Sequence, residues 1–448
     1  MRMQVGVFYL TRQRRRAFAG YHEAQMKLKR RQLLFALGAT AIPGAASATA
    51  CPALAGSQGD INLVGNSLPA IQHLARAAEG CSRSGLQVSF KITPQARTEV
   101  ERAFGSGGRS PFDAAVISAG VFSNLYSRRQ LATLTDLVDK YGRRYKLEER
   151  MLVRVNGEVM ALAFMQNTQN LVYRQDLFDR HRVAVPTTYA QTLQAAATIR
   201  AAEPEVVFPI AQGFGKGFDA AVEFTNILAS LGGQFFEPGS AAPAFQGALG
   251  VEAVNIMRSV LPFMSPNALA MNTDDVMNQL QQGKAALGVL WASRASRMDD
   301  PLASKVVGKM AFAAAPSAKA GGRTAAHLWW DGVAMPRNFG GGAARREAVF
   351  HVLMEMLSEE TLRAGNDLTI WVRSAYRPGR FGAGVALAQK AGAVAWPAEP
   401  FFSLALGEVG KVLPDAFKGE RTVADVLSAA AFAYQRVALE KGFIQRAV

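Results

Sequence analysis

From residue 57 onward the apolar positions switch repeatedly between two periods, which predicts alternating strands and helices. Ile61–Val64 is a short apolar run that reads as a strand. Leu68, Ile71, Leu74, Ala75 and Ala78 share one helix face, which Asn66 or Ser67 can cap and Gly80 stops. Leu86–Ile92 alternates as a strand, and Thr93-Pro94 opens a helix that reaches Phe104. The Gly/Ser loop 105–110 leads into the buried strand Ala114–Ile117. This βαβαβ order predicts a parallel sheet that meets ligands at the carboxyl ends of its strands. Asn156-Gly157 between two alternating apolar runs predicts a hairpin. In the second half Ala285–Trp291 and Val333–Met335 read as strands and Glu347–Leu357 as a helix. The chain from Phe401 on is mostly helical. Asp274 and Asp275 fall in the first turn of a helix ending near Gly283, where acidic side chains favour the N-terminal dipole.

The 448 residues, 49% hydrophobic and 19% charged, suffice for two or three domains and exclude a disordered chain. The net charge of +15 is unevenly placed. Residues 1–55 hold nine Lys/Arg and one acid, so the remainder carries only +7. No basic patch of the kind that binds nucleic acid follows.

That basic leader reads as an export signal. Met26 gives a complete signal by itself and is taken as the true start, with residues 1–25 as an upstream extension. Lys27–Arg31 precedes the apolar stretch Leu33–Ile42, and Ala-x-Ala sites occur at Ala48–Ala50 and Ala53–Ala55. Arg30-Arg31-Gln32-Leu33-Leu34 resembles a twin-arginine motif, and Sec export is the alternative. A lipid anchor on Cys51 is disfavoured by Ala48 three positions before it. If cleavage precedes Cys51, a disulfide to Cys81 becomes available; if it follows, Cys81 is a lone thiol.

Catalytic and metal signatures are missing. None of the five histidines forms His-Glu-x-x-His, and the two cysteines lack zinc spacing. Gly213–Gly217 is glycine-rich without a dinucleotide fingerprint and reads as a flexible loop. Aromatic placement stands out instead. Trp291, Trp329, Trp330 and Trp371 lie at strand ends or in loops, and Trp396 sits near Pro397 and Pro400. Trp329 and Trp330 are adjacent, so in an extended chain they face opposite sides and one can line a cleft. An indole face over C–H surface, with Asp331 accepting from hydroxyls, is a way of holding a carbohydrate.

Five blocks, in order, resemble the family 1 extracellular solute-binding proteins of bacterial ABC importers, the sugar-binding group that includes maltose-binding protein. They are Leu171–Phe178 (LVYRQDLF), Val185–Leu193 (VPTTYAQTL), Gln282–Leu287 running to Trp291, Trp330–Pro336 (WDGVAMP) and Gly419–Leu427 (GERTVADVL). Arg174 and Tyr189 replace the family's usual Asn and Trp. The resemblance implies an α/β, two-lobed periplasmic-binding-protein fold of type II, hinged between lobes, with a helical C-terminal part. The lobes would be residues 57–167 plus 326–368 and 168–325 plus 369–448. It also implies a periplasmic, monomeric binder that needs no cofactor, metal or catalytic residue. A small-molecule solute, a carbohydrate by family habit, would be closed into the cleft and passed to the permease subunits. The site residues implied are Trp291, Trp329, Trp330 and Asp331, with Asn167 and Gln169 at the hinge and Asn66 and Ser118 at strand ends. Phe214, Lys216 and Arg373 complete the set, Lys216 and Arg373 favouring an anion. The competing expectations are a charged solute in the same fold and a secreted glycan hydrolase.

Overall fold

The computed structural model describes residues 51–444 apart from Lys216, Ala398 and Pro400; the leader therefore lies outside the described residues. Two sheets organise the chain. The first contains β1 (Gly59–Gly65), β2 (Leu86–Ile92), β3 (Ala114–Ser118), β4 (Leu152–Val155) and β5 (Glu158–Asn167). The second contains β6 (Gln169–Arg174), β7 (Ile210–Ala211), β8 (Leu287–Trp291) and β9 (Met310–Ala314). The chain then returns to the first sheet through β10 (His327–Ala334) and β11 (Ile370–Trp371), while β12 (Val394–Ala395) runs beside the start of β10. The orders are β11-β5-β10-β3-β1-β2, with β4 on β5, and β7-β8-β6-β9.

The predicted βαβαβ start is present: β1 pairs in parallel with both β2 and β3. The hairpin is present as well. Asn156 and Gly157 both have positive φ, 52° and 84°, the conformation a two-residue turn between twisted strands demands. The first helix begins at Pro69, with Leu68 at the cap. Asn66 accepts from the Leu68 amide at 3.1 Å instead of capping, because proline sets the first helical position one step later than the polar residues suggested. Asp275 accepts from the Asn272 amide in a capping box, as its place in the first turn predicted.

The first core gathers Leu63, Val116, Phe164, Phe350 and Trp371 around the first sheet. Cys51 and Leu54 belong to it, and Cys51 is disulfide-bonded to Cys81. The second core is built on three helices, Phe218–Ser230, Phe402–Lys418 and Val423–Glu440. Gly419, at φ 76°, ends one of them in the left-handed conformation, and Thr422 caps the next by accepting from the Asp425 amide. No helix among the described residues is long and apolar enough to cross a membrane.

Strand β11 adds Ile370 and Trp371 to the first sheet, beyond residue 368 where the sequence reading changed lobes. The glycine-rich segment 213–217 also differs from expectation. It is pinned rather than loose: the Gly215 amide donates to the Met271 carbonyl and the Gly217 amide to the Gly410 carbonyl. A Cβ on Gly410 would lie 2.2 Å from the Gly217 oxygen, so the close approach requires glycine there.

Candidate functional site

Because β10 runs antiparallel to β3, its first residues stand at the edge where β1 and β3 end. Trp329 lies opposite Asn167 of β5, and Asp331 lies opposite Ser118 of β3. β12 pairs with His327 and Leu328 and delivers Trp396, whose amide donates to the Leu328 carbonyl at 3.0 Å. The rings of Trp329 and Trp396 stack, centroids 3.8 Å apart and planes 29° from parallel. Trp291, at the end of β8, meets Trp329 edge-on at 5.3 Å; Phe402 meets Trp396 the same way at 5.1 Å. Phe218, at the start of the helix Phe218–Ser230, approaches Trp329 edge-on at 6.2 Å.

Below this cluster is a cavity of about 340 Å³. Asn66, Arg97 and Ser118 line it from the first-sheet side, and Phe218, Phe402 and Ser403 from the second-core side. Trp329, Trp396 and Glu399 also stand on the wall. Its size falls within the range of small-molecule sites, about 300–1,000 Å³. Both tryptophans keep only a rim open, 8% for Trp329 and 6% for Trp396.

The polar groups here have unused capacity. The Ser118 hydroxyl has no hydrogen-bond partner among the described residues, although Ser118 stands at a helix N-cap. Asn66 uses its oxygen for the Leu68 amide, leaving its own amide group uncommitted. Asp331 is not on the cavity wall itself but stands opposite the wall residue Ser118; it is 7% exposed and its carboxylate makes no hydrogen bond among the described residues. Burial pushes its pKa up to about 7.

Several expected site residues do other work. Trp330 points to the opposite face of β10, where its ring packs edge-on against Phe122 at 5.3 Å. Phe214 is fully buried and stacks on Phe417 at 5.3 Å, so it is part of the second core. Arg373 donates to the carbonyls of Leu357, Tyr145 and Lys146 and lies 3.9 Å from Glu359. Its fork holds main chain together, and none of its partners lies in the second sheet. Lys216 lies outside the described residues. Asn167 stays at the crossing between sheets, accepting from the Ser293 amide and donating to the Ser293 hydroxyl. The two departures from the family blocks also fall outside the cavity wall. Arg174 pairs with Asp176 at 2.7 Å, and Tyr189 is buried with its hydroxyl accepting from Gln212 at 3.2 Å.

Gln169 enters a buried polar chain. It donates to Glu223 at 2.7 Å and accepts from Asn226 at 2.5 Å. Gln212 donates to the other Glu223 oxygen, and Asn226 meets His327 at 2.6 Å. Burial raises the Glu223 pKa to about 8, although the two amide donors act against it. Burial also lowers the His327 pKa to about 4. The chain ties β6, the helix Phe218–Ser230 and the start of β10 together behind the tryptophans. No cluster of His, Cys, Asp and Glu suited to a metal occurs among the described residues.

Sequence reading missed Trp396, Phe218, Phe402, Arg97 and Glu399 as cavity residues. Trp396 follows a strand of only two residues, Val394–Ala395, too short to show as a pattern. The others reach the cavity through tertiary packing that leaves no local pattern.

Comparison with known proteins adds the family. The model of the bacterial extracellular solute-binding protein family matches residues 83–338. A probable amino-acid ABC transporter periplasmic-binding protein of Sinorhizobium fredii is 23% identical over 169 residues. That match covers 37% of this chain and spans only 38% of the curated relative. Among solved structures, a ribitol-bound ABC transporter solute-binding protein of Agrobacterium radiobacter is similar, with a TM-score of 0.72 at 18% identity. The similarity covers 85% of this chain and 99% of that one. A maltose-bound T. maritima protein has a TM-score of 0.73 at 17% identity, covering 84% and 99%. A mannitol-bound solute-binding protein of Agrobacterium vitis has a TM-score of 0.68 at 18%, covering 86% and 99%. These likenesses carry the two-lobed type II fold. With its family model matched over more than half of its length, the chain belongs to the bacterial extracellular solute-binding proteins.

Proposed function

We propose that the protein is the solute-binding component of an ABC importer and holds a sugar, sugar alcohol or glycoside in the cavity under Trp329 and Trp396. The observation that carries this reading is the stacked tryptophan pair beside uncommitted hydrogen-bonding groups, at the carboxyl edge of a parallel sheet. Indole surface matches the C–H faces of a sugar, and Ser118, Asn66 and Asp331 offer partners for hydroxyls. The ribitol, mannitol and maltose complexes of similar folds support the same class. The lobes are assigned as the sequence suggested, with β11 and Arg373 added to the first. Closure of the two around solute would present the complex to the permease.

The working compartment is taken as the periplasm, reached by a Sec or twin-arginine signal. The Cys51–Cys81 disulfide supports an oxidising location, and the buried Leu54 supports cleavage before Cys51 rather than after Ala55. A sulfur held in this disulfide cannot carry a lipid. Calorimetry of the purified protein against a panel of sugars and polyols tests the function. Binding without turnover is expected, and hydrolysis of a bound glycoside would favour the hydrolase instead.

A further inference from the structure

The charge around the cavity is one-sided. Arg97 is the one cation among the wall residues; its Nε pairs with Glu101 at 3.1 Å and its side chain is 57% exposed, so its charge is balanced and screened by solvent. Glu399 stands on the wall with no ion pair among the described residues. Asp331 is buried, also without an ion pair or a hydrogen bond among the described residues. Directly opposite residues of an antiparallel ladder project from the same face, so Asp331 stands alongside Ser118, which lines the cavity. Two positions further back on the same strand, Trp329 forms the aromatic wall.

A buried carboxylate without a partner is costly, and this one is not relieved by any neighbouring cation. Burial alone accounts for its raised proton affinity. Arg373, the charge that favoured an anion in the sequence, is committed elsewhere. With Arg97 balanced by Glu101, the two unpaired acids Asp331 and Glu399 leave the net charge around the cavity negative.

From this arrangement we infer that the solute is an amine-bearing sugar or polyol, whose protonated amino group is received by Asp331 while the carbon skeleton lies against Trp329 and Trp396. The inference rests on the carbohydrate reading given above. An ammonium supplies up to three donors and a compensating charge, whereas a hydroxyl supplies one donor and none. Glu399 at the wall adds a weaker, solvent-screened attraction of the same sign.

Calorimetry with matched pairs tests it: glucosamine against glucose and N-acetylglucosamine, and 1-amino-1-deoxysorbitol against sorbitol. The amine of a pair should bind at least about tenfold more tightly than its neutral counterparts. Asp331→Asn should abolish that preference, with urea unfolding used to show that the variant is folded. The wild-type comparison stands by itself if the variant does not fold. Equal or weaker binding of the amines overturns the inference and leaves the carbohydrate reading standing. A preference that survives Asp331→Asn but is lost in Glu399→Gln overturns the assignment to Asp331. Absence of binding by both amines and neutral compounds counts against this inference and the proposed function together.

Discussion

Trp329 and Trp396 stack ring on ring at 3.8 Å, although one is carried by the strand returning to the first sheet and the other follows a short strand laid beside it. The contact joins two distant stretches of chain into one aromatic wall. Its neighbour Trp330 faces away, against Phe122.

That difference between adjacent tryptophans gives the first prediction. Trp329→Ala should weaken solute binding by at least about tenfold, because the ring forms the cavity wall. Trp330→Ala should leave affinity unchanged and cost about 2 kcal/mol of stability, less than a fully buried aromatic because Trp330 is half-buried. Calorimetry and urea unfolding on both variants measure the two effects. Equal loss of affinity in both would contradict the assignment of faces.

The second prediction concerns the N-terminus. Intact-mass measurement of exported protein should give a chain beginning at Cys51, oxidised and free of diacylglycerol. The Cys51–Cys81 bridge spans a sequence separation of 30. Loop-entropy arguments give about 3–4 kcal/mol for such a loop, so Cys81→Ser should lower the urea midpoint markedly. A mature chain beginning at Gly56 would remove Cys51 and Leu54 from the core and contradict this account.

Stability should depend on pH through Glu223 and His327 of the buried polar chain and through the separately buried Asp331. Raised carboxyl pKa values, about 8 for Glu223 and about 7 for Asp331, mean that the folded state holds protons the unfolded state has released. Their stabilising effect is complete below the unfolded carboxyl range and is lost as pH rises through 7 and 8. His327, lowered to about 4, acts oppositely, but only up to its ordinary value near 6.5. Between pH 6.5 and 8 ligand-free stability should therefore fall with rising pH. Each fully titrating group contributes about 1.4 kcal/mol per unit. Glu223→Gln, which keeps the shape of the side chain, should flatten that fall. An unchanged slope in the variant would show that Glu223 does not titrate in this window.

Much of the fold was legible because short-range patterns determine it. The alternation at Leu86–Ile92 and the Asn156-Gly157 turn each specify their own geometry, and both appear where expected. The adjacency of Trp329 and Trp330 correctly implied opposite faces, but which face meets the cavity depends on how β10 pairs with β3 and β5. Phe214 was misread because glycines suggested a flexible loop. Those glycines instead allow the backbone to pack against Gly410 while Phe214 fills the core. Arg373 was misread because it was carried over from the family resemblance, which does not reveal a side chain's partners. Two of its carbonyl partners, Tyr145 and Lys146, lie more than 200 residues away in sequence. Trp396 was passed over because two residues of strand are too short to register as a pattern.

The most direct measurement is a crystal structure of the protein with the tightest-binding compound from the calorimetric panel. The compound is expected between the Trp329–Trp396 pair and the first sheet edge, with polar groups within hydrogen-bond distance of Ser118 and Asp331. A compound seated elsewhere, such as against Arg129 and Arg337 on the groove near Leu131, with the tryptophan cavity empty, would contradict it.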